Sequence, residues 1–427
     1  GIQTVQDLPN VTPGLTITNQ AGFSQVFLRG VGTDAFLPGA DASVPFYIDG
    51  IPLLGTQGSS DAIGKIQRVE VLKGPQGTLF GANSIGGAIN VVTPDPGQVF
   101  EGDVQFGLGN YNIRKGAAYL NIPITSTLAA SVSAYGGTQD NFYTNDVGDV
   151  IDVYNYGGRV KLLWDITDNI DNTLSVAYNK VSNNGGLIFE NTLPAPRIGG
   201  VSPIPADPKA DRHVDYAGFR VGARLHSYLF ANTFQWRLPK ADFKAIASYQ
   251  DLVPEDVRAT FGAAGLALAR QSGTNEQRTV ELQFLSNADT PYSDHFTWVG
   301  GFYFSDTVGG LDPFSFILAT GAVNSVLGIN SPLISGLNSL LLPITELAGI
   351  DLNEGVILYS RGVIEAQSLS GYFQGTLAVT DELSLILGVR YQKTRKELAK
   401  SSTSLYNSRT GGDAIVLFSD DLPVLHA

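Results

Sequence analysis

Four histidines, a short run of aspartates, a charged trio and a string of glycines are the residues here whose types invite chemistry. His213, His226, His295 and His426 are scattered, with no His-Glu-x-x-His and no nucleophile elbow. They do not read as a metal centre. The chain has no cysteine, so it can form neither a disulfide framework nor a thiolate metal site. Asp146, Asp149 and Asp152 offer the oxygen ligands that calcium takes, but a solvated acidic loop is the simpler reading. Gly74, Gly77, Gly81, Gly86 and Gly87 could cradle a phosphate through backbone amides. No Gly-Lys-Ser/Thr and no helical run accompany them, so a nucleotide site is not expected. Arg68, Glu70 and Lys73 precede those glycines and could be an exposed charged cluster or a docking feature. No catalytic site, metal site or cofactor is expected, and the chain does not read as an enzyme.

The stretch that carries these charges and glycines has a clear local logic. Val69 and Val71 alternate with Arg68 and Glu70, the pattern of a half-buried strand. Gly74-Pro75 stops that strand, because proline fixes φ and donates no hydrogen bond. A compact glycine loop follows, Ala88 to Thr93 resumes as a strand, and Pro94 to Gly97 forms an exit linker. Upstream, Asp49-Gly50 is a tight-turn signal between Phe46-Tyr47-Ile48 and Ile51. Gly32 to Ser43 and Leu53 to Asp61 read as exposed loops. Residues 1–97 thus form a small mixed domain.

This stretch resembles the plug-domain signature of the TonB-dependent outer-membrane receptors. The matching positions are Arg68 to Pro75, Phe80-Gly81 and Gly86 to Thr93, with Lys73 where arginine is commoner. Leu8 to Val11, Phe27 to Gly30 and Tyr47 to Pro52 are similar to further motifs of that family, with Asn10 replacing a glycine.

From Val99 the pattern changes to eleven long strands. They are expected near 99–109, 112–122, 127–139, 154–164, 170–182, 226–238, 241–252, 277–287, 296–306, 366–379 and 383–396. Leu128, Ala130, Val132 and Ala134 face one way and Ser131 and Ser133 the other, as a barrel with a wet lumen in lipid requires. Short turns alternate with long loops at 140–153, 183–225, 253–276, 307–365 and 397 onward, and this orients the chain with short turns in the periplasm. Trp164, Trp236 and Trp298 all fall beside short turns, where an interfacial girdle belongs. No run of eighteen apolar residues occurs; Leu333 to Gly349, the most apolar candidate, is interrupted by polar residues and Pro343. Glycine is abundant at 49 residues, which suits turn-rich β structure, and the net charge of −13 argues against nucleic-acid binding. Methionine is absent even at position 1.

The fold expected is mostly β: a transmembrane antiparallel β-barrel with an α+β plug domain in its lumen. Plugged transporter barrels have about 22 strands, so residues 98–427 are expected to supply the first half of a barrel in a longer protein. The resemblance implies localisation in the bacterial outer membrane and TonB-dependent uptake of a scarce ligand. A ferric siderophore is the usual cargo; cobalamin, haem and oligosaccharides are others. It also implies TonB with ExbB and ExbD as the energy source, through a box ahead of residue 1, and no cofactor beyond iron carried by the ligand. Ligand contacts are expected at Arg29, Phe36, Leu37, Leu53, Leu54 and Gln57, and a plug latch at Arg68, Glu70 and Lys73. Outer-membrane lipid is a further partner. The apolar stretch at 333–350 would pack on the barrel mouth or meet a partner protein. A passive porin-like channel and a docking barrel in a surface assembly are the alternatives, the former disfavoured by the plug.

Overall fold

Short strands and glycine turns organise the first hundred residues of the protein, seen here in a computed structural model. The structure describes residues 5–20, 23–33, 42–54, 64–81, 84–140, 144–145, 153–183, 214–215, 222–261, 267–318, 356–407 and 415–419. A 3-10 turn, Val5–Asn10, leads into β1 (Leu15–Gln20), β2 (Phe23–Leu28) and β3 (Val31–Gly32), an antiparallel sheet in that order. A second sheet has the order β5-β4-β7-β6, from β4 (Phe46–Ile48), β5 (Ile51–Pro52), β6 (Arg68–Lys73) and β7 (Gly87–Val92). One helical turn, α1 (Gly77–Phe80), bridges β6 and β7 within the glycine loop. The two sheets enclose one core of Leu8, Leu28, Val44, Phe46, Ile48, Ile89 and Val91.

Gly87 shows why the loop needs glycine. Its φ is +141°, and a Cβ there would stand 2.2 Å from the Leu72 carbonyl oxygen and 2.7 Å from Leu28 Cδ2. Both the conformation and the space exclude a side chain. Gly87→Ala is expected to destabilise the plug by more than about 2 kcal/mol. The check is protease resistance of the plug in the assembled receptor. Gly77→Ala, where a Cβ would meet nothing within 4 Å, is the control.

The remaining strands are β8 (Glu101–Gly109), β9 (Ile113–Pro123), β10 (Leu128–Gln139), β11 (Thr144–Asn145), β12 (Val153–Thr167), β13 (Ile170–Asn183), β14 (Val214–Asp215), β15 (Gly222–Leu238), β16 (Ala241–Phe261), β17 (Ala267–Leu285), β18 (Phe296–Leu318), β19 (Val356–Ala378), β20 (Ser384–Asn407) and β21 (Ile415–Ser419). Apart from the short parallel pair β11 and β14, they form one antiparallel sheet in chain order. All eleven strands expected from the sequence are present. The sheet adds a twelfth, β21, in a stretch expected to be loop, and several strands run further than the alternation suggested. Parts of the expected loops 140–153, 183–225, 253–276, 307–365 and 397 onward are therefore strand. The segment 333–350 and Asp146, Asp149 and Asp152 lie outside the described residues.

The ladder register gives the two faces their chemistry. On β12, Tyr154, Tyr156, Val160, Leu162 and Trp164 share one face, and Asn155, Arg159, Lys161 and Leu163 the other. Continuing the first face around the sheet, the lower edge carries Trp164, Trp236, Phe243, Phe284 and Trp298. The upper edge carries Tyr156, Tyr178, Tyr228, Tyr249 and Tyr391. All three tryptophans thus lie at one rim, beside the short turns. From Trp164 to Tyr154 is ten residues, about 33 Å along the strand and roughly 25 Å once tilted, the height of an outer-membrane apolar band. Above the tyrosines the face turns polar, with Lys180, Asp251, Arg278, Asp306, Gln367 and Lys393, yet the ladder continues. There both faces meet water, so the apolar alternation ends while the hydrogen bonding does not. The sequence pattern consequently marked only the membrane-embedded part of each strand.

Candidate functional site

The lumen face of the wall meets the plug through a few polar contacts. Asp49 and Gly50 both have positive φ, at 53° and 83°, making the tight β4–β5 turn that Asp-Gly favours. This turn aims the Asp49 carboxylate at the chain leaving the plug. It accepts from the Thr93 amide at 2.7 Å and the Thr93 hydroxyl at 2.8 Å. Lys161 Nζ, on the wall, stands 3.0 Å from Asp49 Oδ2 and 2.9 Å from Asp95 Oδ1. Lys161 is only 3% exposed, so these carboxylates are what make its burial tolerable.

Other contacts ring the plug. Lys65 pairs with Asp103 on β8 at 3.3 Å, and its amide donates to Ser133 Oγ on β10 at 3.0 Å. Gln250 on β16 clasps the end of β5, donating to the Pro52 carbonyl at 2.6 Å and accepting from the Leu54 amide at 3.0 Å. On the far wall, Arg390 donates to the Thr78 carbonyl of α1 at 3.2 Å and to Ser370 at 2.6 Å. Its guanidinium lies 5.7 Å and 5.4 Å from the Tyr303 and Tyr372 ring centres. The Tyr47 hydroxyl donates to the Phe80 carbonyl at 2.6 Å; burial pushes this phenol far above its ordinary range, so it remains a donor.

The residues singled out from the sequence fall as follows. Leu53 packs on the plug core, and both Leu53 and Leu54 line a crevice against the wall with Tyr135, Arg159, Asn179 and Gln250. Arg29 is exposed in the left-handed region at φ 53°, its amide donating to Gly14. Phe36, Leu37 and Gln57 lie outside the described residues. Arg68 and Glu70 are brought together at 2.7 Å, Asn90 donates to the second oxygen of Glu70 at 2.9 Å, and Lys73 donates to the Pro13 carbonyl. The Asn90 bond, then the Arg68 bond, holds the Glu70 carboxyl below the usual carboxylate range. The hydrogen-bond and ion-pair partners of this trio among the described residues are on the plug; the polar plug–wall contacts described above involve Asp49, Lys65, Lys161, Gln250 and Arg390 instead. Sequence reasoning missed these. Lys161 was open to notice, since it shares the lumen-facing parity of β12 with Arg159 against Val160, Leu162 and Trp164. Of the histidines, His226 lies on the outer face, 3.0 Å from Glu255, which also pairs with Lys180. His213 and His426 lie outside the described residues. Among the described residues, no group of three or more His, Asp or Glu is placed to hold a metal.

A folded plug held by polar contacts within a lipid-banded sheet defines the class of plugged outer-membrane barrels. Family models agree: the TonB-dependent receptor plug domain matches residues 1–88, and the TonB-dependent receptor-like β-barrel matches residues 163–422. The chain belongs to the TonB-dependent receptor family, and its place is the bacterial outer membrane. In sequence it is similar to the pesticin receptor of Yersinia pestis, 37% identical over 132 residues, which are 30% of this chain and 19% of that protein. The vitamin B12 transporter of Vibrio vulnificus is 24% identical over 186 residues, 42% of this chain and 29% of that protein. In structure, it superposes on the ferric yersiniabactin uptake receptor of Yersinia pestis with a TM-score of 0.71 at 22% identity, covering 98% of this chain and 58% of that one. The ferric-catecholate import receptor of E. coli K12 gives 0.69 at 16% identity, covering 98% and 62%. These superpositions show the fold. The chain spans about three fifths of the solved receptors it matches.

Proposed function

We propose that the full-length protein imports a ferric siderophore across the outer membrane, with TonB, ExbB and ExbD supplying the energy. One observation carries this reading. The plug has its own hydrophobic core, yet it meets the wall largely through ion pairs and single hydrogen bonds, contacts that can break and re-form without exposing that core. A permanently open pore has no use for such a plug. Relatives named for ferric yersiniabactin and ferric catecholate uptake point to an iron chelate as cargo. The upper surface of the plug, with Arg29, Leu53 and Leu54, supplies the floor of the ligand chamber: a few polar groups in an apolar cup.

The test is uptake of radioactive iron, presented in medium conditioned by iron-starved cells of the source bacterium, by a receptor-deleted strain carrying the full-length gene. Arg29→Ala and a Leu53/Leu54 double alanine, at matched surface amounts, are expected to raise the half-saturating concentration about tenfold. Uptake that does not depend on the gene would overturn the transport reading. Unchanged affinity in both variants would remove the plug surface from the ligand site.

A further inference from the structure

Two spaces lie one above the other between the plug and the same stretch of wall. The upper is the crevice of about 40 Å³ lined by Leu53, Leu54, Tyr135, Arg159, Asn179 and Gln250. The lower is a cavity of about 320 Å³ lined by Asp49, Arg68, Lys161, Thr233, Gln235 and Lys244, among others. Their walls use lumen positions of the same strands at two levels: Arg159 above Lys161 on β12, Leu229 above Thr233 on β15, Gln250 above Lys244 on β16. An apolar contact lies between the two linings. Ile51, in the β4–β5 hairpin and 4% exposed, packs on Leu229, Ala231 and Ile246, with Ala177 beside it.

The charges flank that seal. Arg159 is 8% exposed, lines the upper crevice, and its Nε has no partner among the described residues. Lys161 lines the lower cavity with Arg68 and Lys244, three cations against the carboxylates of Asp49 and Asp95. Asp49 lies two residues before Ile51, ion-paired with Lys161 and within electrostatic reach of Arg159. A buried guanidinium with an unmet donor asks for an acceptor, and an anion is the strongest one available.

We propose that the β4–β5 hairpin is the gate of a transit path along β12 to β16, and that the path conducts anionic groups. Ile51 is the seal, Asp49 the resident counterion, and Arg159 and Lys161 the successive cationic stations. When the hairpin withdraws, it takes Asp49 with it, leaving Arg159 to the cargo and Lys161 with only the largely exposed Asp95 as a competing carboxylate. The same movement thus opens the seal and creates the affinity for negative charge. That the cargo is a ferric chelate with carboxylate or catecholate oxygens rests on the function proposed above; the path and its charge preference do not.

The experiment uses the full-length receptor in planar lipid bilayers in potassium chloride, with no cargo and no energy source. The unmodified receptor is expected to stay closed. An Asp49→Asn, Ile51→Ala variant is expected to open a small conductance whose reversal potential in a salt gradient shows a severalfold preference for chloride. Adding Arg159→Gln and Lys161→Gln is expected to bring that preference close to unity. A folded variant that remains closed, or one that prefers potassium, overturns the proposal. Folding is verified by gel mobility without heating. A second arm covers a variant that does not assemble. Ile51→Cys with Ala231→Cys, oxidised, is expected to abolish radioactive-iron uptake, and reductant to restore it. Undiminished uptake with the disulfide formed overturns the gate. Absence of uptake in the reduced and unmodified receptors alike would count against the transport reading and leave the conductance arm to decide the gate.

Discussion

Val160→Arg is expected to cost the assembled barrel about 2–4 kcal/mol, as a cation placed near the bilayer midplane does. Val160 is 48% exposed on the outer face of β12, between Trp164 at one rim and Tyr156 at the other. Its ladder partners are Val132 and Val176, also lipid-facing, so no wet neighbour is available to the guanidinium. Thr233→Arg is the matched comparison. Thr233 is on the lumen side and lines the 320 Å³ cavity, where the new charge meets water, and it is expected to change stability by less than about 1 kcal/mol. The measurement is urea titration of the full-length receptor folding into phosphatidylcholine vesicles, with the folded fraction read by unheated gel mobility. Equal costs for the two substitutions would mean that the assigned faces of β12 and β15 are wrong.

How far such faces can be read from the sequence depends on what lies on each side of a strand. Where one side is lipid and the other water, as at Leu128 to Ala134, alternation is enforced and the strand is legible. Above Tyr156 and Tyr391 both sides are water, nothing enforces a period of two, and the upper halves of β16 to β20 look like loops. The plug was legible because its glycine positions are fixed by backbone geometry, as at Gly87, and leave a motif. The contacts that seat it were not. Leu54 with Gln250, Thr78 with Arg390 and Asp49 with Lys161 join residues far apart in sequence, and no local pattern announces a pair. Arg68, Glu70 and Lys73 stood out because they are clustered, but Arg68 and Glu70 are two apart on a strand, share a face, and so find each other. Charges isolated among apolar neighbours, as Lys161 is between Val160 and Leu162, are the better guide to long-range partners, since they have none nearby.

Asp49 is the point where that lesson has the largest consequence. Its carboxylate holds the Thr93 amide and hydroxyl and the buried Lys161 ammonium together, tying the β4–β5 hairpin, the exit from the plug and the barrel wall to one group. Asp49→Ala removes three acceptor contacts at once. Thr93, 3% exposed, loses both side-chain acceptors, and Lys161 keeps only Asp95, which is largely in solvent, and the more distant Thr93 carbonyl. Breaking a buried pair on one side costs about 3–5 kcal/mol, and the solvent reaching Asp95 places this case at the lower end. Local opening of residues 87–93 should then rise by roughly a hundredfold, read as faster amide exchange of that segment in the folded receptor. Asp49→Asn keeps an acceptor for Thr93 but not the charge, so its exchange should fall between the two. Lys161→Met combined with Asp49→Asn should recover part of the loss, because replacing both members of a buried pair avoids a stranded charge. If the double variant opens as readily as the sum of the single ones predicts, Asp49 and Lys161 are not energetically coupled, and the hairpin is held by Thr93 alone.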